Sequence, residues 1–240
     1  MATLTWYDIQ HQRYGEAPLP EQKYHDIDDI QRIVTLPDDA PHRDVEKIVE
    51  GAISDSVKVA IVSPPTIYGT GHGMVNTRSI QVPDMVRNTL SKGFAPIVSP
   101  GLTEWDNVHV WDLADVFMKL VEATQSPSLR TSPDIFGLNG YFFVENGSHR
   151  WSDVARWIAE EANKQGYLPE PLTKFVTQKE VEQMDGIGGP TWGLNSKGVA
   201  QRARKYLGWD PKSKTLREEI PDMISWEAKT RGISPKERKD

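Results

Sequence analysis

The amino-acid sequence predicts an α/β fold, in which a largely parallel sheet lies under helices. Two observations lead to this prediction. Segments rich in β-branched residues alternate along the chain with segments whose apolar residues recur at helical spacing. The strand segment at residues 57–62 is apolar at nearly every position, which is typical of a strand buried on both faces of a parallel sheet.

The first forty residues carry few signs of regular structure. They are polar, they contain Pro18, Pro20 and Pro37, and they include an acidic cluster at residues 26–29. We predict an irregular surface segment over residues 1–40 with at most one short helix. So long an irregular segment is unusual at the front of a compact domain, and it suggests that a preceding part of the fold is absent.

Residues 41–135 are predicted to form the α/β part of the protein. A helix is expected over residues 45–52, whose apolar side chains share one face. The strand at residues 57–62 follows and ends at two prolines, which cannot donate to a sheet. Further along we expect a helix closed by Gly93, strands at 96–98 and 107–110, and a helix capped by Asp112.

Residues 136–233 are predicted to form a smaller and mainly helical lobe. Its expected elements are a strand at 141–144, a helix beginning at Trp151, a helix capped by Ser196 and a last helix kinked or broken at Pro221. Residues 234–240 are charged and are predicted to form a frayed tail.

Composition excludes several classes of function. The chain has 240 residues, a net charge of -6 and no cysteine, which rules out disulfides, cysteine-ligated metals and thiol catalysis. Neither a basic stripe nor a metal-ligand spacing is present, so we expect no nucleic-acid partner and no metal site. We also see no signal peptide and no membrane-spanning apolar run, and therefore expect a cytoplasmic protein without a membrane partner.

Three segments together resemble one known family. Residues 57–69 read VKVAIVSPPTIYG, residues 107–114 read NVHVWDLA and residues 207–211 read LGWDP. In this order they resemble the extended short-chain dehydrogenases/reductases, the NAD-dependent epimerase/dehydratase family, and in particular fungal members of unassigned substrate. The resemblance implies the C-terminal part of a Rossmann-like doubly wound sheet plus a smaller, mainly helical substrate lobe.

The resemblance also implies site residues. Family members carry a tyrosine and a lysine one helical turn apart, which bind the nicotinamide ribose and transfer a proton. Lys47 lies where that lysine belongs, but Arg43 replaces the tyrosine. The remaining implied contacts are Pro65 and Tyr68 to the nicotinamide end of NAD or NADP, and Asn76 and Arg78 to the substrate.

Neither Arg43, at the position of the missing tyrosine, nor the adjacent His42 is expected to take over its role. Arg43 does not release its proton at neutral pH. His42 can titrate, but on a helix continuous with Lys47 it would point to another side. The proton-transfer step of the family is therefore in doubt for this chain.

The glycine fingerprint of dinucleotide-binding folds does not occur in the sequence, although NAD or NADP is the cofactor that the resemblance implies. Three interpretations remain. The chain is an incomplete and inactive oxidoreductase of this family that acts on a small polar or nucleotide-sugar-like molecule, or it is a non-catalytic NAD(P)- or ligand-binding regulatory protein on the same scaffold. The third interpretation is a non-functional fragment. Whether it forms a homodimer stays open.

Overall fold

The computed structural model describes residues 1–235 of the chain. In that range the helices are α1 (Trp6–His11), α2 (Ile30–Val34), α3 (Arg43–Gly51), α4 (Gln81–Lys92), α5 (Val110–Gln125), α6 (Trp151–Lys164), α7 (Gln178–Glu182), α8 (Arg202–Leu207) and α9 (Leu216–Thr230). The strands are β1 (Lys23–His25), β2 (Ile61–Ser63), β3 (Thr66–Tyr68), β4 (Ala95–Val98), β5 (Glu104–His109), β6 (Tyr141–Phe143), β7 (Ser148–Arg150), β8 (Thr173–Val176) and β9 (Lys197–Val199).

Most strand pairs are parallel, which confirms the predicted α/β class. Strand β1 pairs with β9, β2 with β6, β3 with β5 and β4 with β8, all in parallel register. The antiparallel pair is β5 with β7. Parallel partners need a long crossover, and the helices between the strands provide it.

The first forty residues are more ordered than the sequence predicts. They form α1, β1, α2 and two 3-10 turns, and Leu4 and Ile33 are fully buried. The prediction of an irregular surface segment is wrong. The residues that this segment packs against are distant in sequence, so local patterns do not reveal its order. Strand β1 pairs with β9, and the carboxylate of Asp8 accepts from the backbone N–H of Asn195 at 2.7 Å.

Strand β2 is shorter and less buried than predicted. The segment before it, residues 57–60, is not a strand, and Val57 is 43% exposed. Within the described residues β2 has a strand partner on one side, β6, and its other edge is unpaired. A strand with one partner cannot be enclosed as fully as the central strand that the apolar run suggests.

Helix α3 turns its charged side toward the protein. The helix itself is predicted correctly, but Val45 and Ile48 are 54% and 74% exposed, whereas Arg43 and Glu46 are buried. Arg43 donates to Glu46 at 3.0 Å, and the hydroxyl of Tyr141 in β6 donates to Glu46 at 2.6 Å. These buried hydrogen bonds hold the polar face against the sheet and leave the apolar face outside.

Two predicted helix caps are wrong. Helix α5 begins at Val110, and its N-cap is His109, whose Nδ1 accepts from the backbone N–H of Trp111 at 3.2 Å. Asp112 instead accepts from the backbone N–H of Lys212 at 3.0 Å, which fixes the loop before α9. Ser196 precedes strand β9 rather than a helix.

The N-terminus of α8 is satisfied by Asp26 from the opposite end of the chain. Its carboxylate accepts from the backbone N–H groups of Gln201 at 2.9 Å and Arg202 at 3.0 Å. Of the other predicted helix features, Gly93 ends α4 in a left-handed conformation, as expected, and α9 runs through Pro221 without a break.

The apolar interior consists of two clusters. One is built around α4, α6 and α9, and includes Val86 and Ile158. The other is built around α5 and β6, and includes Val116 and Phe142. Each cluster contains residues from both sides of the predicted boundary between residues 135 and 136. The division of the chain into domains at 41–135 and 136–233 stays a prediction. Most of the predicted tail, residues 236–240, lies outside the described residues.

Membrane insertion finds no support in the described helices. None of the helices in residues 1–235 combines the length and the apolar character that crossing a bilayer requires.

A buried histidine lies where β5 and β7 meet. The Nδ1 atom of His149 is 2.9 Å from the side-chain nitrogen of Asn107, and its Nε2 atom is buried without a hydrogen-bond partner. The ring packs edge-on against Trp151. Because burial strongly disfavours an imidazolium here, and Lys197 adds to the effect, the pKa of His149 falls from 6.5 to about 3.

We expect acid to destabilise the protein through His149. The folded protein keeps the ring neutral, while the unfolded chain takes up a proton at its ordinary pKa. The stabilisation is complete above pH 6.5 and is lost as the pH falls toward 3, the window that the lowered pKa defines. At pH 5, urea unfolding should give a free energy of unfolding about 2 kcal/mol lower through this group than at pH 7.

A matched pair of variants tests the assignment. His149→Gln should reduce the acid slope of the free energy of unfolding, whereas His72→Gln, at an exposed ring, should leave it unchanged. Equal slopes in the wild type and His149→Gln would contradict the prediction.

Candidate functional site

A cleft opens where the carboxyl end of β2 meets the loop before α4. Its volume is 560 Å³, within the range of about 300–1,000 Å³ typical of small-molecule sites. The cleft is lined by Ala2, His42, Pro64, Pro65, Ile67, Asn76, Arg78, Ser79, Ile80, Gln81, Trp105, Ile187 and Thr191. Ligands of open parallel sheets bind at this end of the strands.

The structure brings three of the predicted site residues together. Pro65, Asn76 and Arg78 all line the cleft, although they come from different segments of the chain. Pro65 is buried directly after β2, while Asn76 is exposed in the loop between β3 and α4. The Oδ1 atom of Asn76 accepts from the backbone N–H of Arg78 at 3.0 Å, which shapes this loop.

The other two predicted residues lie outside the lining of the cleft. Lys47 is half-exposed on α3, where its Nζ pairs with Asp38 at 2.7 Å. Tyr68 is buried, and its hydroxyl donates to the carbonyl of Lys214 at 2.9 Å. Burial raises the pKa of Tyr68 well above its usual range. The cofactor contacts assigned to Lys47 and Tyr68 stay predictions.

His42 is the lining residue that sequence reasoning set aside. It precedes α3 instead of belonging to it, and its backbone has a φ of 65°. A left-handed conformation is uncommon for a residue other than glycine and is a pointer to function. His42 also lines a neighbouring cavity of 340 Å³, together with Glu46 and Pro64. The sequence signal was present, because a titratable residue adjoins the position of the missing tyrosine.

The charge of Arg78 is already neutralised inside the protein. Its Nη2 lies 3.1 Å from Asp84, and its Nε donates to Glu227. Arg87 pairs with the same two carboxylates, at 3.3 Å and 3.8 Å. We call these four residues the ion-pair quartet. Both of its carboxylate side chains are 3% exposed, so the pairs are well shielded from water.

The ion-pair quartet also fixes one wall of the cleft. The Oδ2 atom of Asp84 accepts from the backbone N–H groups of Ile187 and Gly188, both at 3.0 Å. Gly186 permits this approach, because its φ is 95° and a Cβ there would lie 2.2 Å from Asp84 Oδ2. Ile187 therefore reaches the cleft through a turn that Asp84 holds.

The lining fits one end of a dinucleotide cofactor. Prolines and a histidine beside a strand end suit the flat nicotinamide ring. A pyrophosphate needs free N–H groups at a glycine-rich turn or a free cation. The cation in the lining, Arg78, is neutralised, and no glycine fingerprint occurs in the sequence. The described residues therefore do not fit the pyrophosphate.

Solved structures with a similar fold define the fold class of the chain. The chain aligns with a dTDP-glucose 4,6-dehydratase from Bacillus anthracis in complex with NAD at a TM-score of 0.53 and 16% identity, over 83% of this chain and 55% of that one. It aligns with MoeE5 in complex with UDP-glucuronic acid and NAD at a TM-score of 0.50 and 18% identity, over 77% and 53%. The fold is thus the Rossmann-like α/β fold of NAD-dependent epimerases and dehydratases, and the chain spans about half the length of these structures.

A sequence relative defines the family. No family model matches the chain. The oxidase ucsJ of Acremonium sp is 32% identical over 239 residues, which are 97% of this chain and 68% of that protein. The chain belongs to the same family as this oxidase.

We expect Asp84→Asn to destabilise the protein by about 3 kcal/mol, because two partly buried arginines would then share one buried carboxylate. Urea unfolding at neutral pH measures the effect. The control is Asp153→Asn, which breaks an exposed pair with Arg156 and should cost less than about 1 kcal/mol. Similar losses in both variants would argue against a stabilising role for the ion-pair quartet.

Proposed function

We propose that this chain carries the substrate cleft, and the nicotinamide end of the cofactor site, of an NAD(P)-dependent oxidoreductase that acts on a small molecule. The observation that carries the proposal is a single juxtaposition. Pro65, Asn76 and Arg78, which the family resemblance assigns to cofactor and substrate, line one cleft together with His42. The oxidase relative and the NAD-bound structures of the same fold support the same class.

His42 is proposed as the proton-transfer residue. Oxidation of a hydroxyl requires a base that takes the hydroxyl proton, and an imidazole can do so near neutral pH. Arg78, which also lines the cleft, cannot release a proton at that pH. When bound, the nicotinamide supplies the hydride acceptor or donor. The residues of this chain then orient the substrate through Asn76 and exchange a proton at His42.

The two halves of the cofactor are expected to contribute unequally to binding. The described residues fit the nicotinamide end but not the pyrophosphate, so the adenosine half adds little binding energy. Reduced nicotinamide riboside, which carries no phosphate, should therefore bind the chain with an affinity within about threefold of that of NADH. For the same reason we expect no turnover of NAD or NADP by this chain alone.

Titration of the purified chain with both compounds, followed by tryptophan fluorescence and by calorimetry, measures the two affinities. An NADH affinity more than about tenfold higher, roughly 1.4 kcal/mol, would reveal contacts to the adenosine half and contradict the assignment. If neither compound binds at millimolar concentration, the oxidoreductase proposal fails and the non-catalytic ligand-binding alternative gains support.

Two variants compare the candidate cofactor residues. His42→Asn should weaken binding of the reduced nicotinamide compound several-fold, because His42 lines the cleft. Lys47→Ala should leave binding unchanged, because the structure pairs Lys47 with Asp38 outside the cleft. The opposite pattern would support the ribose-binding role that the family resemblance assigns to Lys47.

A further inference from the structure

The geometry points to a specific class of substrate: the cleft takes a neutral, largely apolar small molecule and not a nucleotide sugar or another phosphorylated compound. This inference rests on the proposed function, in which the cleft is the substrate site. It departs from the nucleotide-sugar-like substrate that the family resemblance suggests.

The walls of the cleft are mainly apolar. Trp105 of β5, which is almost fully buried, and Ile67 of β3 both line the cleft. Ile80 directly precedes α4, and Ile187 lies in the turn that Asp84 holds. Their side chains are 44% and 73% exposed and are therefore available to a ligand. Apolar walls of this extent gain free energy by covering apolar ligand surface.

Among the described residues, the lining of the cleft contains no permanently charged side chain that is free to bind a phosphate. Arg78 is its permanently charged residue, and the guanidinium is bound by Asp84 and Glu227. Since Arg87 balances the second charge of these carboxylates, the ion-pair quartet has no net charge. A diphosphate would either enter the cleft without a counter-charge or separate buried ion pairs, and both changes are unfavourable.

The remaining polar side chains suit neutral hydrogen-bonding groups. Asn76, Ser79, Gln81 and Thr191 line the cleft, and the amide of Gln81 donates to the Thr191 hydroxyl at 2.9 Å. Uncharged amides and hydroxyls recognise hydroxyl, carbonyl or amide groups. A few such groups in an otherwise apolar cavity of 560 Å³ are typical of sites for compact organic molecules.

Binding of a neutral apolar probe tests the inference directly. N-phenyl-1-naphthylamine fluoresces more strongly in apolar surroundings, and UDP-glucose serves as the phosphorylated competitor. We expect saturable binding of the naphthylamine to the full chain. We also expect that UDP-glucose at millimolar concentration neither displaces it nor gives a calorimetric signal.

A matched pair of isoleucine variants locates the probe. Ile187→Ser removes an apolar side chain from the cleft and should weaken naphthylamine binding about fivefold. Ile48→Ser changes an isoleucine of nearly equal exposure, 74% against 73%, on the outer face of α3, and should leave binding unchanged. Neither side chain is buried, so both variants are expected to fold.

The outcomes separate this inference from the proposed function. Naphthylamine binding that responds to Ile48→Ser but not to Ile187→Ser, or no naphthylamine binding, would overturn the inference. UDP-glucose binding that is lost in Arg78→Gln would overturn it as well, while leaving the oxidoreductase proposal standing. Failure of the reduced nicotinamide compound to bind, with naphthylamine binding still dependent on Ile187, would remove the proposed function but not the apolar character of the site.

Discussion

The ion-pair quartet of Arg78, Asp84, Arg87 and Glu227 joins the parts of the chain that form the cleft. It connects the loop before α4, helix α4 itself and helix α9, and through Asp84 it also holds the turn at Gly186–Gly188. Both carboxylates are buried, so removing either arginine would leave a buried charge without a full counter-charge. The position of the cleft walls thus depends on one buried electrostatic arrangement.

The same arrangement determines the chemistry of the cleft. An arginine at a ligand site usually indicates an anionic ligand. Here both carboxylate partners come from the protein, so the charge of Arg78 is already balanced before a ligand enters the cleft. Enzymes of one fold can therefore differ in substrate class without a change of backbone, since the pairing of one side chain decides whether its charge is available.

Local signals predicted the elements that depend on local interactions. The helical spacing of apolar residues located α4, α5, α6 and α9, and Gly93 marked a helix end. Features that depend on distant partners were missed. The inverted face of α3 follows from the hydrogen bond between Tyr141 and Glu46, and the order of the first forty residues follows from contacts to residues 195–202.

In the candidate site, too, local signals located residues but did not reveal their distant partners. The family resemblance assigned Pro65, which lies in the motif at residues 57–69, and Asn76 and Arg78 in the loop that follows it, and all three line the cleft. The resemblance did not reveal that Arg78 is neutralised, because Glu227 is far away in sequence. His42 was set aside on the assumption of a continuous helix, and its left-handed backbone, which places it outside α3, is not visible in the sequence.

The pairing of β1 with β9 has a consequence for how the protein forms during synthesis. Residues 23–25 are synthesised well before their strand partner, residues 197–199. Likewise, the carboxylates of Asp8 and Asp26 can accept their hydrogen bonds only after Asn195 and the start of α8 have been synthesised. Contacts of such long separation close late and slow the folding reaction. The segment at residues 8–26 is therefore made before residues 195–202 but is fixed in place only once they are present.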